Sequence, residues 1–290
     1  MAAKSKYSLS LISYGYNEQD LLAEFFERAL ELLGRTTNDF EIIFVDDGST
    51  DDSWHIAQDF ATKHPVIRIF RNDRNRNIAY SFKRGAAQAQ KEILFWQTID
   101  WSYDISELEI FIRLLDHFDA VIGVRPVPTR LLSYIPILRS VYRVRTRSDD
   151  FLRACISLAN YYLLRILYNV NVHDFQNIQF HRTKEFQTYV FSGESSFLAP
   201  EAIIKTLERG FRIIEVPIRF CPRQKGVSKG IRPAALWRSL RDVIGNWFAW
   251  GWRRRFGGTE RDGKVFRLTE PAMLEDEVII LVAPLFKQFR

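Results

Sequence analysis

Five short runs of β-branched and aromatic residues, spaced by helix-length segments, constrain this chain more than any other feature. They are Leu9–Tyr14, Glu41–Val45, Val66–Phe70, Ile93–Thr98 and Ala120–Val124, each of strand length and largely apolar, as strands buried on both faces are. Between them, Glu18–Leu33, Asp52–Lys63, Ala79–Gln90 and Ser106–Asp116 repeat apolar residues at helical spacing. Parallel strands need a crossover of about a dozen residues or more, usually a helix. The alternation therefore predicts an α/β fold, a mainly parallel, Rossmann-like sheet flanked by helices.

The second run leads into Val45-Asp46-Asp47-Gly48-Ser49-Thr50-Asp51-Asp52-Ser53. Open α/β sheets bind ligands at the carboxyl ends of their strands, and two carboxylates fall there. Gly48 permits a tight turn, and Asp51 or Ser53 can cap the next helix. The acids can accept hydrogen bonds from a nucleobase N–H or from ribose hydroxyls. Asp46 reads equally well as a ligand contact and as a brace of the turn.

Past Val124 the alternation breaks. Pro126, Pro128 and Pro136 punctuate an arginine-rich loop, and a helix is predicted over Phe151–Tyr168. Strand signals follow near Ile178–His181 and Arg212–Phe220, then a long helical pattern over Ile231–Phe256. Val278–Phe286 reads as a buried strand, and no stretch approaches the roughly 20 apolar residues of a membrane span. Cys155 and Cys221 are the only cysteines, which argues against a disulfide framework or thiolate cluster and suits a reducing, cytoplasmic compartment. His173 and His181 read as packed or surface residues rather than a metal pair. The net charge of +6 favours a phosphate-bearing ligand or an anionic membrane surface. No nucleic-acid recognition motif accompanies it.

The order of these segments resembles the inverting family 2 glycosyltransferases of GT-A type. Within them it is most similar to the polyprenyl-phosphate branch of dolichyl-phosphate mannose synthases and bacterial polyprenyl-phosphate glucosyltransferases. The likeness runs from Ser8 to Lys229. The family's Pro-x-Tyr-Asn-Glu stands as Tyr14-Gly15-Tyr16-Asn17-Glu18, without the proline, and its VDDGSTD as Val45 to Asp51. A further family segment stands as Asn75-Arg76-Asn77, then Arg84-Gly85. The resemblance implies that Tyr16, Asn17, Glu18, Asp46, Asp47, Asn75, Arg84 and Asp100 bind a nucleotide-diphosphate sugar, with Asp47 at the base.

The family's Asp-Ala-Asp metal motif stands here as Thr98-Ile99-Asp100, followed by Trp101-Ser102. Asp100 keeps the second acid and Thr98 replaces the first. A single carboxylate suffices for Mg²⁺ or Mn²⁺ when water and diphosphate complete the shell, at weaker affinity. On the acceptor side, Gly123-Val124-Arg125 resembles the family's Gly-Ser-Arg, and Arg153, Ser157 and Asn160 its Arg–Ser–Asn helix. Glu215-Val216-Pro217-Ile218 and then Arg223-Gln224-Lys225-Gly226-Val227-Ser228-Lys229 resemble EVPI and Arg-x-x-Gly-x-Ser-Lys. The resemblance thus implies acceptor-phosphate contacts from Arg125, Arg153, Ser157, Arg223, Ser228 and Lys229. Asp100 and Arg223 are implied in leaving-group stabilisation, and Asp174 is the candidate base for a hydroxyl acceptor.

The expected function is inverting transfer of a sugar to a polyprenyl phosphate at the cytoplasmic face of a membrane. Transfer to a glycan or lipid hydroxyl, and a non-catalytic nucleotide-binding scaffold, are the alternatives. Residues 1–230 form the expected catalytic domain and 231–290 an amphipathic helix with a tail. Leu236, Leu240, Val243, Trp247 and Trp250 mark an apolar stripe among arginines. It fits peripheral contact with a membrane interface or packing on protein.

Overall fold

The computed structural model describes residues 4–125, 151–219, 221, 233–257, 263–268, 270 and 273–287, with backbone alone for 151–158, 233, 234, 286 and 287. The first part runs β1 (Leu9–Gly15), α1 (Gln19–Thr36), β2 (Phe40–Asp46), α2 (Ser53–Lys63), β3 (Ile67–Arg71), α3 (Ile78–Ala87), β4 (Ile93–Trp96), α4 (Leu108–Leu114) and β5 (Ala120–Val124). Then come α5 (Phe151–Tyr168), β6 (Gln179–Arg182), α6 (Thr183–Gln187), α7 (Leu198–Glu208), β7 (Ile213–Pro217) and α8 (Pro233–Asn246). A π-helical turn (Trp247–Gly251), α9 (Trp252–Phe256), β8 (Val265–Arg267) and α10 (Asp276–Lys287) complete the described chain. The predicted α/β sandwich is present. The pattern reading missed α6 and α7.

The strands form one eight-stranded sheet in the order β3-β2-β1-β4-β6-β5-β7-β8. Every neighbouring pair is parallel except those of β6, which is antiparallel to both β4 and β5. From β1 the chain moves outward through β2 to β3, then returns to place β4 on β1's other side. That reversal makes a crevice beyond the carboxyl ends of β1 and β4.

Side-chain alternation explains why so many strand residues are apolar. In β1, β2 and β4, Leu9, Leu11, Ile42, Phe44, Ile93 and Phe95 join a core with Phe25, Phe26 and Phe111. Their neighbours Ile12, Ile43, Leu94 and Trp96 face the other side, against Phe82 and Phe186. Successive residues of a strand point to opposite faces, so a sheet covered twice needs apolar residues at nearly every position.

Two expectations for the C-terminal segment need correction. Val278–Phe286 is not a strand but lies in α10, where Val278, Val282 and Leu285 are buried at helical spacing and join the main core. A continuous apolar run does not separate strand from buried helix; Asp276 and Glu277 in the first turn were the usable signal. The apolar stripe of α8 is in fact two stripes. Val243, Trp247 and Trp250 pack on the α5 side, where the Trp247 indole donates to Leu167 O at 2.9 Å and Tyr168 Oη donates to Val243 O at 2.7 Å. A Cβ on Gly251 would lie 2.3 Å from the Tyr168 ring, so only glycine allows this approach. The opposite side exposes Trp237, Leu240, Ile244, Phe248, Trp252 and Phe256.

Candidate active site

Because β1, β2, β4, β5 and β7 run the same way, their carboxyl ends share one edge, and antiparallel β6 begins at that edge. Local hydrogen bonds stitch the two N-terminal motifs together there. Asn17 N–H donates to Ser49 Oγ at 2.9 Å, and Glu18 N–H donates to Ser53 Oγ at 2.8 Å. Thr50 N–H returns a bond to Asn17 Oδ1 at 2.9 Å. Asn17 takes a positive φ of 54° to make this corner, a conformation asparagine tolerates better than most residues. Asp51 accepts from Ser53 N–H at 3.0 Å and Gln19 N–H at 3.3 Å. Partial burial opposes its ionisation, but these hydrogen bonds outweigh it and hold the carboxyl below its ordinary range.

The two adjacent acids have different roles in this lattice. Asp46 is fully buried; it accepts from Ser49 N–H at 3.2 Å and pairs with Arg71 Nε at 3.1 Å. Its geometry is that of the brace. Asp47 holds the following loop: Oδ1 accepts from Asn72 Nδ2 at 2.7 Å, Arg76 N–H at 2.8 Å and Ser81 Oγ at 2.9 Å. Its Oδ2 accepts from Asn77 N–H at 3.0 Å. Gly48, at φ 75°, lets this loop close, since a Cβ there would sit 2.6 Å from the Arg74 carbonyl carbon. Asn75 is exposed on the same loop. Arg84 donates to Arg71 O at 2.6 Å and Asn72 Oδ1 at 2.7 Å, one residue removed from Asp47. Asn72 and Ser81, which the sequence reading did not single out, complete this cradle. Their spacing after the motif carries no pattern that marks them.

Asp100 stands at the end of β4 on a tight corner. Trp101 adopts φ 50°, a strained position for a bulky residue, at a cost of order 1–3 kcal/mol. Its ring is buried near Phe25, at 5.9 Å, with Arg28 above it at 4.6 Å, which offsets that strain. The corner turns Ser102 back so that Ser102 Oγ donates to Asp100 Oδ1 at 2.6 Å. Ser102 N–H donates to Thr98 Oγ1 at 3.1 Å. Thr98, in place of an acid, therefore braces the corner. Among the described residues no three His, Cys, Asp or Glu side chains are placed to hold a metal ion together. The half-buried Asp100 carboxylate does fit an ion that takes its other oxygens from water and a diphosphate.

Across the edge, Arg125 and Asp174 form a forked ion pair. Arg125 Nε and Nη2 donate to Asp174 Oδ2 and Oδ1 at 2.8 and 3.2 Å. Asp174 also accepts from Gln176 N–H and Asn177 Nδ2, each at 3.2 Å. Desolvation works against the guanidinium, yet the charge and hydrogen bonds of Asp174, with the nearby Tyr103, together outweigh it and raise the Arg125 pKa further. With donors on both of its oxygens, Asp174 is arranged as a counter-ion rather than as an open base. The Arg153 and Ser157 side chains, and Arg223, Ser228 and Lys229, lie outside the described residues. The described chain ahead of that last group is tied to the Asp100 corner, with Cys221 N–H donating to Ser102 O at 2.9 Å and Asp104 N–H to Arg219 O at 3.0 Å.

The sequence profile of Glycosyl transferase family 2 matches residues 10–154. A cholesterol galactosyltransferase of Borreliella burgdorferi is 33% identical over 105 residues, covering 36% of this chain and 28% of that protein. A dolichol-phosphate mannosyltransferase of Pyrococcus furiosus is 27% identical over 134 residues, covering 46% of this chain and 37% of that protein. The chain thus spans about a third of the length of these relatives. Glucosyl-3-phosphoglycerate synthase of Mycobacterium tuberculosis, solved with Mn²⁺, UDP and glucosyl-3-phosphoglycerate, shares the fold. It superposes with a TM-score of 0.56 at 11% identity, over 84% of this chain and 81% of that one.

Proposed function

The chain belongs to glycosyl transferase family 2, and on that premise we propose that it transfers a sugar, with inversion, from a nucleotide-diphosphate sugar to a polyprenyl-type lipid phosphate. The observation that carries the acceptor class is the state of Asp174. A hydroxyl acceptor needs a base, and the first candidate has both oxygens committed, each accepting a bond from Arg125. A phosphate acceptor is already anionic at neutral pH and needs positioning by cations more than deprotonation. Arg125 stands at the edge where such a group would meet the donor sugar. Two relatives named for transfer to dolichol or dolichyl phosphate support the same reading.

On the donor side, Asp47 and its loop form the nucleotide cradle, and Tyr16, Asn17 and Glu18 follow β1, with Asn17 and Glu18 bonded to the loop after β2. Asp100 would hold Mg²⁺ or Mn²⁺, which supplies positive charge against the departing diphosphate. Ser102 fixes the orientation of that carboxylate. Arg223 and Lys229 are proposed to add charge at the diphosphate and acceptor.

The α8–α9 segment is proposed to bring the catalytic part to the cytoplasmic face of a membrane, while β8 and α10 after it belong to the sheet and the main core. No described helix is long and apolar enough to cross one. The exposed stripe from Trp237 to Phe256 supports peripheral attachment, with Arg241, Arg253 and Arg255 exposed along it and the single acid of α8, Asp242, buried. An α-helix drifts about 40° every four residues, and a turn closed by i→i+5 bonds absorbs an extra residue. The π turn at Trp247–Gly251 thus keeps Trp252 and Phe256 on the line of Ile244 and Phe248. The test of the reaction is nucleoside diphosphate release from a panel of UDP- and GDP-sugars, with Mg²⁺ or Mn²⁺, with and without a polyprenyl phosphate. Release that requires the lipid phosphate and collapses in Asp100→Ala is the expected result. Release that requires a hydroxyl acceptor instead would overturn the acceptor class.

A further inference from the structure

β7 carries a carboxylate where its neighbours carry core residues. Glu215 lies between Ile214 and Val216, its side chain 1% exposed. An ionised carboxylate so deeply buried must be matched by donors, and Glu215 has three. One oxygen accepts the backbone N–H of His173. The other lies 2.6 Å from His173 Nδ1 and 3.0 Å from Arg267 Nε. Arg267 faces Glu215 across the β7–β8 pair. Its Nη2 donates to Asn171 O at 2.6 Å, and Nη1 to Glu270 Oε1 at 3.1 Å.

Two fixed charges on adjacent strands thus grip one short piece of backbone, the carbonyl of Asn171 and the amide of His173. The next residue is Asp174. We propose that Glu215 and Arg267 are positioning residues that hold Asp174, and through it Arg125, in the register needed to receive the acceptor's anionic group. The segment 169–175 otherwise lacks regular structure, so its path depends on such ties. Arg267 is suited to the task because a planar fork can serve Glu215 and the Asn171 carbonyl at once. A lysine ammonium keeps the charge but not the fork. The role of Arg125 as an acceptor contact rests on the reading given above, whereas the clamp itself does not.

The closing experiment has two arms. In the first, NMR follows the Arg125 Nε–H, assigned with Arg125→Lys, in the wild type, Arg267→Ala, Arg267→Lys and Glu215→Gln. The expected result is a slowly exchanging Nε–H in the wild type that broadens or vanishes in Arg267→Ala and Glu215→Gln. The backbone amides of Arg76 and Asn77, on the far side of the site, should stay unchanged. An Arg125 signal in Arg267→Ala like that of the wild type overturns the clamp, whatever the enzyme's acceptor. In the second, transfer to farnesyl phosphate should show a KM for that acceptor raised about tenfold or more in Arg267→Ala, less in Arg267→Lys, with the nucleotide-sugar KM unchanged. An equal rise in both KM values would mark general destabilisation and overturn the positioning role. Arg125→Ala is the reference: if it leaves the farnesyl phosphate KM unaltered, the acceptor reading fails, and the NMR arm still decides the clamp.

Discussion

Asp47 and Asp174 mark the two halves of the site, and they are held by opposite means. All four donors on Asp47 are neutral, and all come from residues 72–81, one loop and the start of one helix. Asp174 takes two of its bonds from the guanidinium of Arg125, 49 residues away in sequence. Neutral donors fixed by a local loop preorganise a pocket whatever the ionic surroundings. An ion pair offers a charge for which an anionic ligand can compete. The difference suits the proposed roles, a donor site shaped before a nucleotide arrives and an acceptor site that answers to a phosphate.

The strongest way to break this contrast is Asp47→Ala. It leaves several donors buried without an acceptor, each costing about 1–3 kcal/mol, so a loss of about 3 kcal/mol or more is expected. Urea unfolding measures it, and nucleotide binding should be lost in parallel. Asp47→Asn should cost less, because an amide oxygen can keep the Oδ1 donors while its NH₂ opposes Asn77 N–H. A loss below about 1 kcal/mol in Asp47→Ala would show that the cradle does not depend on this carboxylate.

A second effect lies at the seam of the two halves, where β6 pairs with β4 on one side and β5 on the other. His181 on β6 is buried against Trp96 and Phe186. Its Nε2 lies 3.0 Å from Gln179 Oε1, and the Gln179 amide nitrogen donates elsewhere, to Ala199 O. The imidazole is therefore the donor, through Nε2–H. Burial pushes its pKa down to about 3. A depressed histidine leaves stability intact above the unfolded-state value of about 6.5 and removes about 1.4 kcal/mol per pH unit as the pH falls from there toward the folded value. His181→Gln keeps a donor and cannot titrate, so its stability should fall less steeply than that of the wild type between pH 6 and 4. Parallel slopes for the two proteins would refute the assignment.

How much of this could be read from the sequence follows the same division. The Val45-to-Ser53 motif, the Tyr-Asn-Glu corner and β1 to β5 were legible because their hydrogen bonds close over short distances and their burial is periodic. Ala120–Val124 and Phe151–Tyr168 agree with the observed bounds residue for residue. The acceptor side was not legible in the same way. Arg125 and Asp174 each stood out by resemblance, yet their pairing depends on antiparallel β6 entering between β4 and β5, and nothing local in residues 175–182 announces that. Glu215 looked like part of a motif and Arg267 like part of a loose tail. Only the register of β7 on β8 places them opposite each other.

The smallest effect on stability, and the most specific on location, is expected at the exposed stripe of α8 and α9, whose buried side packs against α5. Trp237, Phe248 and Phe256 are 68%, 68% and 71% exposed. Replacing all three with serine should therefore change folding stability by only about 0.5 kcal/mol per site or less. The same change removes much of the apolar surface available to a lipid interface, while Arg241, Arg253 and Arg255 remain to meet anionic headgroups. Flotation with vesicles rich in anionic lipid should carry the wild type upward and leave the triple variant behind. Arg241→Gln with Arg253→Gln should weaken flotation more at low salt than at high salt, since screening already removes that attraction. A wild type that stays at the bottom of the gradient would sink the membrane assignment. The site, its Asp47 loop closed by local bonds, would then have to receive its acceptor from solution.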